Sequence, residues 1–113
     1  MTVFATPFMA RSVRLNPVEW HNDISTRFEV YFNDRLPARE ELGDEDMSVA
    51  AVSAGYPTYA SDEWDPNHGI HRARIDYPKP RQGSSSWCAS ANNQHQWAGV
   101  GLVNPKMVTA VQT

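Results

Sequence analysis

Between Gly55 and His71 the chain reads GYPTYASDEWDPNHGIH. Tyr56, Tyr59 and Trp64 offer flat apolar faces. Asp62, Glu63, Asn67 and His68 offer short hydrogen-bonding groups among them. A neutral glycan needs this combination, because sugars present apolar C–H faces beside dense hydroxyls. A plainer reading stands beside it, in which Trp64 and Pro66 only seal the end of a β-structure.

Other chemistry is poorly provided for. Asp62 and Asp65 form a carboxylate pair and the chain has four histidines, yet no pattern groups a nucleophile, a base and a group to orient the base. No catalytic activity is therefore expected. The single cysteine, Cys88, lies next to Trp87 and reads as a small buried residue. His68-x-x-His71 lacks the cysteine pair of a closed zinc set, and its spacing serves a metal mainly on a helix. Net charge is −3 and no basic run exists, so nucleic acid is not an expected partner. Acids at 62, 63 and 65 would repel an anionic membrane. No stretch approaches the roughly 18 apolar residues of a membrane span. The first residues, MTVFATPFMARSVRL, lack the basic start and unbroken apolar run of a signal peptide.

The elements that must position these groups read as strands and turns. Four Trp, four Tyr and four Phe among 113 residues supply a core. Residues 11–16 alternate, and Pro17 ends the run. Residues 24–32 alternate clearly: Ile24, Thr26, Phe28, Val30 and Phe32 share one face. Residues 33–47 carry dense charge and read as a solvated linker, with AREEL as a short helical turn at most. Residues 48–54 form a short strand. A turn-rich stretch follows to Asn93, and the spans 96–103 and 107–112 read as strands joined by an NPK turn. Trp20, Trp87 and Trp97 are assigned to the core, and Arg14, Arg27 and Glu29 to Arg–carboxylate pairs. Arg72 and Arg74 fall on one side of an extended segment, as partners for Asp or Glu. The fold class is all-β, a sandwich or barrel.

Two segments resemble parts of the discoidin, or coagulation factor V/VIII type C, family. Residues 4–32 are similar to its closing segment: Pro7, Ala10-Arg11, Val13-Arg14-Leu15, Pro17, Trp20, Ile24, Arg27 and Glu29 match in order. Residues 49–113 are similar to its opening segment through VAAVSAGY, Trp64-Asp65-Pro66, HRARIDYP, SSSWCASANNQHQW and MVTAVQT. The closing segment thus precedes the opening one, and the central strands of a whole module are missing. Three accounts fit that order: a window across two tandem modules, a circular permutant without its centre, or a truncated gene model. Residues 1–33 are then one module's C-terminal segment, 34–48 an acidic linker, and 49–113 an N-terminal segment. Two departures stand out. Asn33-Asp34 replaces a cysteine that many members carry, and Gly101 in QWAGVGL replaces the usual Asp.

The resemblance implies a discoidin-like (galactose-binding-like) jelly-roll β-sandwich, incomplete or permuted. It also implies a lectin-like, non-catalytic carbohydrate-binding or cell-adhesion module, extracellular or at the cell surface. The loop after the first strand would be a projecting spike at the ligand end, which makes Tyr56, Tyr59, Asp62, Glu63, Trp64, Asn67 and His68 the ligand-binding residues. The partner is a glycan or a cell-surface protein. The alternatives are a protein-interaction module of an adhesion receptor and an accessory carbohydrate-binding module of a glycosidase. No cofactor is expected; some members hold a structural calcium, for which Asp62 or Asp65 would serve. Unpaired strand edges would drive self-association of the isolated segment.

Overall fold

The computed structural model describes residues 1–33 and 48–113. The acidic linker and its AREEL turn lie outside the described residues, apart from Ser48. Among the described residues seven strands run in order: β1 (Thr2–Leu15), β2 (Ser25–Thr26), β3 (Glu29–Asn33), β4 (Ser48–Ala50), β5 (Thr58–Ala60), β6 (Trp87–Cys88) and β7 (Ala98–Gln112). Among the described residues there are also two single turns of 3-10 helix, Pro66–His68 and Ile70–Arg72. No helix among the described residues is long and apolar enough to cross a membrane.

β7 is the central strand of an antiparallel sheet ordered β1-β7-β3-β4. Its first residues also pair with β5, through Tyr59 opposite Gly99. β2 and β6 form a separate two-stranded layer. The result is an antiparallel β-sandwich, consistent with the fold the resemblance implies. Both segments of the chain contribute to one sheet and one core. Ile24, Phe28, Val30 and Phe32 pack with Ala51, Val52, Ala73, Trp87, Val100, Leu102 and Val108.

The alternation over 24–32 puts Ile24, Phe28, Val30 and Phe32 inside. It does not make one strand, because Arg27 and Phe28 break away to dock on 73–75. The Phe28 N–H donates to the Ala73 carbonyl at 2.8 Å, and the Arg27 guanidinium donates to the Ile75 carbonyl at 3.0 Å. β1 is longer than residues 11–16. Pro7 lies inside it, where the pairing with β7 shifts register, as an edge strand allows. The NPK segment is not a hairpin turn. Ala10 pairs with Lys106 and Ser12 with Gly101, so residues 102–105 bulge from β7 opposite Arg11 alone. Val103 takes a left-handed φ of 70° at this bulge. The strand read over 48–54 ends at Ala50, and a turn to Gly55 (φ 92°) follows.

Glu29 falls on the face that alternation assigns to solvent, yet it is 2 % exposed. Its carboxylate caps the turn after β4. Oε1 accepts from the N–H groups of Val30 (3.0 Å) and Val52 (2.6 Å), and Oε2 accepts from Ser53 N–H (2.9 Å) and Ser53 Oγ–H (2.7 Å). The expected arginine partner is replaced by the donors of a turn. Among the described residues Arg14 likewise has no carboxylate partner; its guanidinium lies 4.0 Å over the Trp97 ring.

Candidate functional site

The segment from Gly55 to Arg72 is built by turns and held by groups from elsewhere in the chain. Ser61 N–H donates to the Trp97 carbonyl at 2.9 Å, and Trp64 N–H to the Cys88 carbonyl at 3.0 Å. Between them, the Trp87 indole N–H donates to the Asp62 carbonyl at 2.7 Å. Asp65 then caps the first 3-10 turn by accepting from Asn67 N–H, and Pro66 follows it with its φ already suited to the turn.

This scaffold divides the seven expected ligand residues. Tyr56 is half-buried, and its ring meets Phe32 edge to face at 5.4 Å. Asp62 faces inward to the scaffold; its carboxylate accepts from Ser90 N–H at 2.9 Å and, with the Gln96 amide assigned in the orientation that satisfies its neighbours, from Gln96 at 2.8 Å. Asn67 is occupied as well, accepting from Arg72 at 3.3 Å through Oδ1 and from Ser84 N–H at 3.2 Å through its carbonyl. Tyr59, Glu63 and Trp64 face outward, and His68 is half-buried. Tyr59 is 54 % exposed and Trp64 60 % exposed. Glu63 is exposed, with Oε2 accepting from Ile70 N–H at 3.3 Å. His68 stacks on Trp64, ring centroids 5.6 Å apart, while its Nδ1 meets Asp65 Oδ1 at 2.6 Å.

Gly101 bears on this site. A Cβ there would stand 3.3 Å from Cε2 of Tyr59, so the missing side chain leaves room for the ring against the sheet. Gly83, at φ 79°, permits a second close approach, since a Cβ there would stand 2.2 Å from the Asn67 carbonyl oxygen.

Three supports are not evident from residue type. Arg72 is not extended beside Arg74. It sits in a 3-10 turn and clamps the loop, donating to the carbonyls of Gln82 (2.7 Å) and Ser84 (3.1 Å) as well as to Asn67. Gln96 is buried beneath Asp62. Trp87 is both core and loop anchor. The SSSWCAS motif was the available signal for the last, but nothing in it specified the Asp62 carbonyl. Cys88 is buried, with Ser84 and Ser86 hydroxyls at 3.6 and 3.9 Å.

Burial pushes the Asp62 carboxyl up, but donors from Ser90 and Gln96 outweigh it and hold the group below its ordinary value. At Asp65 the hydrogen bond with His68 is the largest influence and lowers the carboxyl, helped by Asn67 N–H and the positive charges of His68 and Arg72. A carboxyl depressed by folding contributes stability above its unfolded value, and that contribution is lost as pH falls through the folded one. Acidification below the ordinary value of 3.8 should therefore release the Asp65 cap and the His68–Trp64 stack. Trp64 fluorescence followed against pH checks this. Asp65→Asn should remove that acid step, and its persistence would assign the step to another carboxyl. Among the described residues no three His, Cys, Asp or Glu side chains gather to hold a metal ion. The two carboxylates proposed for calcium, Asp62 and Asp65, are engaged by the donors above.

No family model matches the chain, and no solved structure matches it. Segments of several larger proteins do. Coagulation factor V of Sus scrofa is 30% identical over 115 residues, covering 97% of this chain and 5% of that protein. Neuropilin-1 of Xenopus laevis is 31% identical, covering 96% of this chain and 11% of that protein. Lactadherin of Bos taurus is 28% identical over the whole chain and 26% of that protein. The chain thus spans about a quarter or less of these relatives. Each match runs through both the ARSVRL and the SSSWCAS segments in the order found here. These relatives are discoidin-domain proteins, their likeness extends over nearly every residue, and the strands form the antiparallel sandwich that likeness implies: the chain is a homologue of proteins of the discoidin, or coagulation factor V/VIII type C, family.

Proposed function

We propose that the chain is a non-catalytic binding module, working outside the cell or at its surface, that holds a glycan on the outward groups of its Gly55–His71 loop. The observation that carries this reading is the pairing of two exposed rings, Tyr59 and Trp64, with a backbone pinned from Trp87, Cys88 and Trp97. A ring held ready in water gives up little entropy on stacking against a sugar face. Glu63 and the free edge of His68 lie beside Trp64 as polar groups for hydroxyls. Tyr56, Asp62 and Asn67 serve this reading as support for the loop, since scaffold contacts already occupy them. The division into a closing-type segment (1–33), a linker (34–48) and an opening-type segment (49–113) belongs to the same proposal. Colinear matches to three relatives support that order as one the family uses.

A glycan array followed by calorimetry tests the reading. Tyr59→Ala and Trp64→Ala should each weaken glycan binding about tenfold. Their urea midpoints should stay close to the parent's, since exposed rings change stability by only about 0.5 kcal/mol. A folded chain that binds no glycan on the array and does bind a cell-surface protein would replace the glycan with a protein ligand on the same loop.

A further inference from the structure

A cleft of about 560 Å³, sharing no lining residue with the Gly55–His71 loop, opens between the end of β1, residues 16–26, Trp87 and the start of β7. That volume falls within the range of small-molecule sites. Its floor is apolar: Leu15, Ile24, Trp87 and Ala98. Its rim carries Arg14, Glu19, Trp20, His21, Asp23 and Ser25. Trp20, expected in the core, is instead 38 % exposed here.

The rim is built rather than loose. Asn22 takes a left-handed φ of 66°, and Asp23 N–H closes the turn on the His21 carbonyl at 2.8 Å. Asn92 reaches across from the other segment and holds both sides of this turn. Its Oδ1 accepts from Ile24 N–H at 3.0 Å, and its Nδ2 donates to the Asn22 carbonyl at 2.9 Å. The groups this turn presents are unused. Among the described residues the carboxylates of Glu19 and Asp23, the imidazole of His21 and the indole N–H of Trp20 have no hydrogen-bond partner, and the Arg14 guanidinium has only the Trp97 ring.

The composition of the rim selects a ligand class. A cation entering the cleft meets Arg14, and an anion meets Glu19 and Asp23. A neutral polyhydroxylated ring accepts from Arg14 and Trp20, donates to Glu19 and Asp23, and lays its apolar face on the indole. We propose that this cleft is a second ligand site, taking a neutral saccharide independently of the Gly55–His71 loop. A chain with both sites holds two sugar units at once.

Titration of the 113-residue chain with lactose, maltose and N,N′-diacetylchitobiose, followed by ¹⁵N NMR, tests this directly. At least one sugar should move the Trp20 indole resonance and the backbone amides of residues 19–25. It should do so equally in the Tyr59→Ala/Trp64→Ala double variant, which separates this site from the loop. Trp20→Ala should weaken the titration about tenfold. Should Trp20→Ala fail to fold, Asp23→Asn on the exposed rim carries the same decision, with a severalfold loss expected. A folded chain in which none of the three sugars moves these resonances overturns the proposal. So does movement confined to residues 55–71, or a cleft that responds to arginine methyl ester or inorganic phosphate and to no sugar.

Discussion

Glu29→Ala should lower the unfolding free energy by about 3 kcal/mol or more, read as a urea midpoint shift with unchanged slope. The turn after β4 directs the N–H groups of Val52 and Ser53 at the Glu29 carboxylate, at 2.6 and 2.9 Å. Truncation leaves these donors beside a residue that is 2 % exposed, where water replaces the lost acceptor poorly. Each stranded donor costs about 1–3 kcal/mol, more when its partner was charged. Glu29→Gln should lose less, about 1–2 kcal/mol, because one oxygen remains while the new NH₂ faces donors. Glu19→Ala, on the exposed cleft rim, should stay within about 0.5 kcal/mol of the parent. The experiment also reports on architecture. Glu29 belongs to the closing-type segment and Val52–Ser53 to the opening-type one, so the loss appears only if the two segments share a core. A Glu29→Ala midpoint equal to the parent's would mean that residues 1–33 and 49–113 fold apart.

Glu29 also marks the limit of what periodicity can reveal. A period of two correctly places Ile24, Phe28, Val30 and Phe32 inside, because side-chain direction along an extended chain is a local property. The same rule sends Glu29 to solvent. Its burial depends on a turn more than twenty residues away whose donors lack backbone acceptors, and that arrangement is not local. Strand ends failed for similar reasons. Pro7 and NPK are punctuation when read alone, but an edge position tolerates the first and a bulge opposite Arg11 absorbs the second. Within the loop, residue type identified the aromatics and acids without ranking them. Tyr56 and Tyr59 are three residues apart and alike in chemistry. One is drawn onto Phe32, and the other is left outside with Gly101 making room beside it. Arg14 on Trp97 and Arg72 on three loop oxygens show that arginine placement follows whichever acceptor or ring the tertiary fold supplies.

Trp87 joins the core to the loop, so its substitutions should separate stability from binding. The side chain is 1 % exposed, floors the Trp20 cleft, and anchors the Asp62 carbonyl through its indole N–H. Trp87→Ala removes the largest fully buried side chain and should cost about 3–5 kcal/mol, enough to unfold much of a domain of this size. Trp87→Phe is the more informative change. It keeps most of the apolar volume, loses one buried hydrogen bond, and should cost about 1–2 kcal/mol. The chain then remains folded, but the segment between Ser61 and Trp64 has lost its central tie. Hydrogen exchange at Ser90 N–H, which bonds the Asp62 carboxylate, should quicken, and glycan binding by Tyr59 and Trp64 should weaken severalfold. Exchange at Val108, on the far half of β7, should follow only the global loss of stability. Equal acceleration at both amides would mean that Trp87 acts through the core alone, and the loop would then owe its shape to the Ser61–Trp97 and Trp64–Cys88 bonds without it.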